Sequence, residues 1–216
     1  MDEININASL LFYCGPMGSG KTTNLISSWF AHRNAGFLTI VGKPVIDTKG
    51  NDRVIARNGQ FIDTDFLVGE NDSVFDVVKN KFPDVDVIMI DEAQFLKAHH
   101  IDDLARLVYE EDKIVICYGL LTDFMGNLFE GSRRLIEVGA EMTRLTIPCK
   151  CRRASRIHNL RKVNGVPVFD GEQVVIDGSS GVVEYESMCG KCYFKNRRRV
   201  LTRKLDSEQC VIPGFE

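Results

Sequence analysis

No stretch of this chain comes near the 18 consecutive apolar residues of a membrane-spanning helix, so no membrane span is expected. The first residues, Met1-Asp2-Glu3-Ile4-Asn5, are acidic and lack the basic and apolar regions of a signal peptide, which predicts a cytoplasmic protein. An excess of positive charge is also missing. Against 30 Asp and Glu stand 27 Lys and Arg, a net charge of −3, so the bulk charge gives no reason to expect a nucleic-acid partner. The seven cysteines are odd in number, and with no sign of secretion disulfides are a poor first assumption. What is present, 44% hydrophobic and 26% charged residues over 216 positions, is a soluble globular composition. The length suits one domain with a substantial core, or one domain and a small appendage.

The chain is organised around Gly15-Pro16-Met17-Gly18-Ser19-Gly20-Lys21-Thr22, which reads G-x-x-x-x-G-K-[ST]. Small residues at Gly18, Ser19 and Gly20 let backbone N–H groups turn inward around phosphate oxygens. Lys21 would reach the β- and γ-phosphates, and the Thr22 hydroxyl would ligate Mg²⁺. The flanks agree. Leu10 to Tyr13 is an apolar run suited to a buried strand, and Leu25, Ile26, Trp29 and Phe30 have the spacing of a helix packed on a sheet. That helix would present its N-terminus to the anion, so ATP or GTP binding is expected.

Farther along, an apolar run from Val85 to Ile90 ends in Asp91-Glu92-Ala93-Gln94-Phe95. An acidic residue at a strand end is the usual partner of a phosphate loop, because its carboxylate holds the Mg²⁺ shell, and Asp91 takes that place. Glu92 then stands just beyond the strand, where open α/β sheets bind ligands. It would activate either water, in an ATPase, or a substrate hydroxyl, in a kinase. Strands near residues 37–41 and 113–118 and helices near 73–81, 101–110 and 129–136 predict three to five β-α units. The fold class is therefore α/β, a mostly parallel sheet flanked by helices. Asn58-Gly59 marks a turn between short extended pieces. Residues 43–49, polar with an early proline, read as a surface loop.

Cys149-Lys150-Cys151 and Cys189-Gly190-Lys191-Cys192 form two close pairs on turn-like stretches. Four thiolates suit a closed, structural Zn²⁺ site with no open position for chemistry. In a reducing compartment this outweighs two disulfides. The last residues are basic, at Lys195, Arg197, Arg198, Arg199, Arg203 and Lys204, and read as a solvated charge run.

Together, the phosphate loop G-P-M-x-S-G-K-[ST], D-E-A-Q-F at residues 91–95 and T-D-F-x-G-x-x-F at 122–129 resemble type II thymidine kinases. The likeness runs from about Leu10 to Cys192. It implies a P-loop NTPase-like ATP-binding domain at 1–145 and a zinc-ribbon/lasso domain at 146–194, leaving a basic tail at 195–216. It implies ATP and thymidine as substrates, deoxyuridine as a secondary one, dTTP as feedback inhibitor, and a homotetramer. Glu92 would be the general base, and Gln94 would join Asp91 and the phosphate loop around ATP and Mg²⁺. Met17, Phe95, Leu120, Phe124 and Phe129 would make the apolar pocket. Val175, Ile176, Asp177 and Gly178 would line base and sugar from a lasso closing over thymidine, with Tyr185 beside the base. A core aromatic is the rival reading of Tyr185. Two departures stand out: Ile176-Asp177-Gly178 replaces the usual I-G-G, and residues 179–184 are slightly longer than usual. Lys49 also stands where many members carry Arg, keeping the charge but losing the bidentate fork.

The reading from another class is a phosphate-loop ATPase whose zinc ribbon grips nucleic acid. The basic tail favours it; the net acidic charge and the lack of stacking aromatics on a basic face oppose it.

Overall fold

The computed structural model describes residues 8–48, 50–173 and 182–209. Lys49 and the expected lasso residues Val175, Ile176, Asp177 and Gly178 lie outside the described residues.

Six parallel strands form the main sheet. In chain order they are β1 (Ser9–Cys14), β2 (Thr39–Pro44), β5 (Phe66–Val68), β6 (Val87–Ile90), β7 (Ile114–Gly119) and β8 (Glu141–Arg144), laid side by side as β5-β2-β6-β7-β1-β8. Helices α1 (Lys21–Asn34), α2 (Val74–Lys81), α3 (Ala98–Tyr109) and α4 (Glu130–Glu137) connect and flank them. Every residue of β6, Val-Ile-Met-Ile, is buried, because helices cover both faces of a parallel sheet and leave no room for polar alternation. Ser73 caps α2 by accepting from the Asp76 N–H, as its position before an apolar-periodic run requires.

The sheet separates two apolar cores. One packs Leu10, Phe12, Ile88 and Ile90 against Leu104, Leu107 and Val108 of α3 and Leu135 of α4. The other packs Val41, Val87 and Met89 against Leu25 and Ile26 of α1. Into this second core also drop Val54 and Ile62 of an antiparallel hairpin, β3 (Arg53–Ile55) with β4 (Phe61–Asp63). Gly59 turns the hairpin at φ 88°, as Asn58-Gly59 predicts.

Three local readings are corrected. Strand β8 was missed, because Glu-Met-Thr-Arg on a sheet edge carries no apolar run. Residues 43–49 are not simply a surface loop: Lys43 belongs to β2, is 1% exposed, and donates to Asp47 Oδ2 (3.1 Å) and Arg53 O (3.3 Å). Phe30, read as packed on the sheet, is 51% exposed, and the strand expected from residue 37 begins at Thr39. The basic run read as solvated is carried by helix α5 (Gly190–Gln209), with Lys195, Arg197, Arg198 and Arg199 exposed.

After β8 comes a smaller unit. Strands β9 (Ile147–Pro148) and β10 (Ala154–Ser155) pair, and β11 (His158–Val163) lies between β12 (Val166–Val168) and β13 (Val183–Met188). Its core is small: Cys149, Leu160, Met188, Cys189 and Tyr193. Tyr193 Oη donates to Phe124 O (2.7 Å) and Ser187 Oγ donates to Met17 O (2.6 Å), so the unit is fastened to the mouth of the main sheet.

Candidate active site

The carboxyl ends of β1, β6 and β7 meet at one opening, and each delivers a different chemistry there. From β1 the chain enters the phosphate loop, where Gly18 (φ 77°) and Gly20 (φ 82°) take left-handed conformations that L side chains resist. Lys21 is 7% exposed and its Nζ donates to Gly15 O (3.0 Å) and Pro16 O (3.1 Å), which closes the loop on itself. Burial lowers the Lys21 pKa, and the Glu92 and Asp91 carboxylates oppose that shift. Ser19 Oγ is buried with no partner among the described residues, as befits a cradle shaped for an anion.

From β6 come the acidic residues. Asp91 is 5% exposed, and its pKa is raised to about 7, first by burial and next by the Glu92 charge. Glu92 follows in a left-handed conformation (φ 50°, ψ 36°) that costs a non-glycine residue about 1–2 kcal/mol. This strain turns its carboxylate into the opening. Gln94 holds it there: Nε2 donates to Glu92 Oε2 (2.5 Å), while Oε1 accepts from the Leu120 N–H (2.9 Å). Read beforehand as part of the ATP and Mg²⁺ group, Gln94 is 2% exposed and spans β6 and β7.

The apolar wall is shared: Leu120, Phe124 and Phe129 follow β7, Phe95 follows β6 and Met17 follows β1. Phe95 and Phe129 meet edge to face with centroids 5.8 Å apart, and Phe124, Leu120 and Met17 complete the lining. Helix α4 packs hard against the turn after Glu92. A Cβ on Gly131 would lie 2.4 Å from Ala93 O, so glycine there sets how closely Phe129 approaches Phe95. Tyr185 lies on β13 and is 38% exposed, which removes the core-aromatic reading; its hydroxyl accepts from Arg161 Nε (2.9 Å). Phosphate loop, Glu92 and aromatic wall all border one cavity of about 540 Å³, within the usual range for small-molecule sites.

Several residues here were not foreseen. Asp123 sat inside a quoted motif without a role; it is 3% exposed and accepts from Met125 N, Asn127 N and Gln173 Nε2. Asn159 Oδ1 accepts from the Met17 N–H (2.8 Å), joining β11 to the phosphate loop, and lies 2.9 Å from Ser187 Oγ, whose single proton goes to Met17 O. Arg161 donates to Glu172 O (2.8 Å) and Gln173 O (3.0 Å) as well as to Tyr185. No local pattern marks Asn159 or Arg161, which only β11 pairing brings to the cavity wall.

The four cysteines come together away from this cavity. The Sγ atoms of Cys149, Cys151, Cys189 and Cys192 all lie within 4.8 Å of one another, with Cys151 and Cys189 3.4 Å apart. A tetrahedron with Zn–S near 2.3 Å has edges of about 3.8 Å, so the cluster fits zinc, and 3.4 Å is too long for a disulfide. Of the two expected turns, only the first is one: Cys189 directly follows β13 and Cys192 sits in the first turn of α5.

The family model for thymidine kinase matches residues 8–193. The chain belongs to the thymidine kinase family. It is 33% identical to a thymidine kinase of Photorhabdus laumondii over 93% of this chain and 99% of that one. To the thymidine kinase of Encephalitozoon cuniculi it is 36% identical, over 86% of each. To that of Streptococcus gordonii it is 35% identical, over 87% of this chain and 97% of the relative. Thymidine kinase membership accounts for a phosphate loop and a ring-sized apolar pocket sharing one space.

Proposed function

We propose that this chain is an ATP-dependent thymidine kinase, transferring the γ-phosphate of ATP to the 5′-hydroxyl of thymidine in pyrimidine deoxynucleotide salvage. The observation that carries this is the one cavity that the phosphate loop, Glu92 and the Phe95–Phe129 pair line together. The loop, residues 15–22, orders the triphosphate. Thr22 and Asp91 are the residues that would hold Mg²⁺, which when bound neutralises phosphate charge. Glu92 takes the 5′-hydroxyl proton as that oxygen attacks, and Gln94 keeps its carboxylate aimed. Met17, Leu120, Phe95, Phe124, Phe129 and Tyr185 enclose the base. Val175, Ile176, Asp177 and Gly178 belong to the same proposal through family resemblance.

Functionally the chain divides into the ATP-binding part at 1–145, the zinc-binding part at 146–194 and the basic tail at 195–216. The closing of the main sheet at Arg144 and the separate small core support that division. Zinc is structural, held by Cys149, Cys151, Cys189 and Cys192. Family resemblance supports a cytoplasmic homotetramer inhibited by dTTP.

The test is ATP turnover with thymidine, deoxyuridine, deoxyadenosine or DNA added. Thymidine should be phosphorylated best. The 5-methyl group in an apolar pocket is worth about 1–3 kcal/mol, so deoxyuridine should be poorer by roughly 10–200-fold. Turnover stimulated by DNA and not by thymidine would overturn the reading in favour of a nucleic-acid ATPase.

A further inference from the structure

Among the described residues that line the cavity, only two carry a permanent positive charge: Lys21 and Arg57. The same lining includes Asp47, Glu92 and Asp123, with Asp91 directly behind. The described lining therefore holds more acidic than basic side chains. Fully ionised ATP with one Mg²⁺ carries two net negative charges, and Lys21 offsets only one. Among the described lining residues the second cation is Arg57.

Arg57 is well placed for this. It stands over the phosphate loop: its Nη1 would lie 3.2 Å from a Cβ built on Gly18, the residue whose left-handed backbone opens the cradle. No carboxylate among the described residues forms an ion pair with it, although carboxylates line the same cavity, so its five N–H donors remain available to a ligand. The hairpin that carries it is anchored. Val54, Ala56 and Ile62 are 1%, 3% and 6% exposed in the α1-side core, and the tip is closed by Ala56 N–H to Gln60 O (2.8 Å) and Gly59 N–H to Ala56 O (3.0 Å). A long cationic side chain on a rigid mount at the rim of a phosphate cradle can reach the outermost phosphate without reordering the backbone.

We propose that Arg57 is a catalytic residue that contacts the γ-phosphate of the bound nucleotide and stabilises the charge developing on it during transfer. The proposal rests on the kinase reading above. In the step, the acceptor oxygen bonds to Pγ, the bond from Pγ to the β–γ bridging oxygen breaks, the acceptor proton passes to Glu92, and ADP leaves carrying the bond's electron pair. Charge spreads over the transferred phosphoryl oxygens, where a planar guanidinium donates two hydrogen bonds at once.

Arg57→Ala and Arg57→Lys in the full-length chain test this. Arg57→Ala should lower kcat by about 10²–10³, the usual loss for one transition-state donor, with KM for thymidine unchanged. Arg57→Lys should fall between, and added guanidinium chloride should restore part of the Ala variant's rate. Direct binding provides a reading that needs no acceptor: the Ala variant should lose about tenfold in affinity for a non-hydrolysable ATP analogue and nothing for ADP. Turnover of the Ala variant within about twofold of the unmodified chain would overturn the proposal. So would equal losses for ATP analogue and ADP, or a lost rate accompanied by a lowered melting temperature and no rescue. If the unmodified chain phosphorylates no nucleoside, the kinase reading fails by itself, and the ATP-against-ADP comparison still decides Arg57.

Discussion

The Arg161 guanidinium carbon lies 3.6 Å from the centroid of the Phe124 ring, so a buried cation backs the wall of the substrate cavity. Arg161 is 3% exposed and 5.4 Å from the Tyr185 ring centroid, and it donates to two backbone carbonyls and the Tyr185 hydroxyl. Ring faces and carbonyl dipoles, in place of a carboxylate, make its charge tolerable in the interior.

Arg161→Met should therefore strand the Glu172 and Gln173 carbonyls and release Tyr185. The expected cost is about 2–4 kcal/mol, lowering the melting temperature by roughly 5–15 °C. KM for thymidine should rise about tenfold while KM for ATP holds, because the side chain serves the base-binding wall and not the phosphate loop. Equal rises in both would assign Arg161 to general stability.

Glu92→Gln should lower kcat by about 10²–10⁴ and leave ATP affinity nearly intact, since the amide keeps the shape but cannot take a proton. Glu92→Gly should be as inactive, yet no less stable than the Gln variant, because glycine adopts φ 50° without strain. Near-normal turnover of Glu92→Gln would remove Glu92 from the mechanism.

The Asp91 carboxyl is pushed up to about 7 by burial and by Glu92, so folding takes up a proton between the unfolded carboxyl's pKa of about 3.9 and that value. Its contribution to stability is present at low pH and disappears as pH rises through about 7. Asp91→Asn removes this cost. The ligand-free variant should melt a few degrees above the unmodified protein at pH 8, with the gap narrowing toward pH 5, while losing activity with Mg²⁺ and ATP. Parallel melting curves from pH 5 to 8 would contradict the assignment.

Purified protein should contain one zinc per chain, and Cys151→Ser should lose it. Cys151 is exposed, so the change removes a ligand without opening a hole in the core. The small core of Leu160, Met188 and Tyr193 should loosen first, since neither core of the main sheet contains a zinc ligand. Elemental analysis and a two-step melting curve are the readouts; full zinc in the Ser variant would refute the four-ligand site.

Sequence alone determined the parts whose chemistry is local. A phosphate loop needs its glycines, Lys21 and Thr22 within eight consecutive residues, and buried parallel strands must be apolar on both faces, so β1, β6 and β7 were legible with the carboxylates that follow β6. Paired cysteines likewise state their ligand chemistry before they meet. Edge strand β8 was illegible because half-exposed strands carry no apolar run, and Lys43 was misread because its burial depends on Asp47 and Arg53 closing around it. Tertiary structure decided which distant residues share the cavity. Asn159 reaches Met17 across 142 positions and Ser187 reaches it across 170, through strand pairing and hydrogen bonds that no short window contains. Arg57 and Arg161 are ordinary arginines in the sequence. Only the hairpin's burial in the α1-side core sets one over Gly18, and only the pairing of β11 with β13 sets the other behind Phe124.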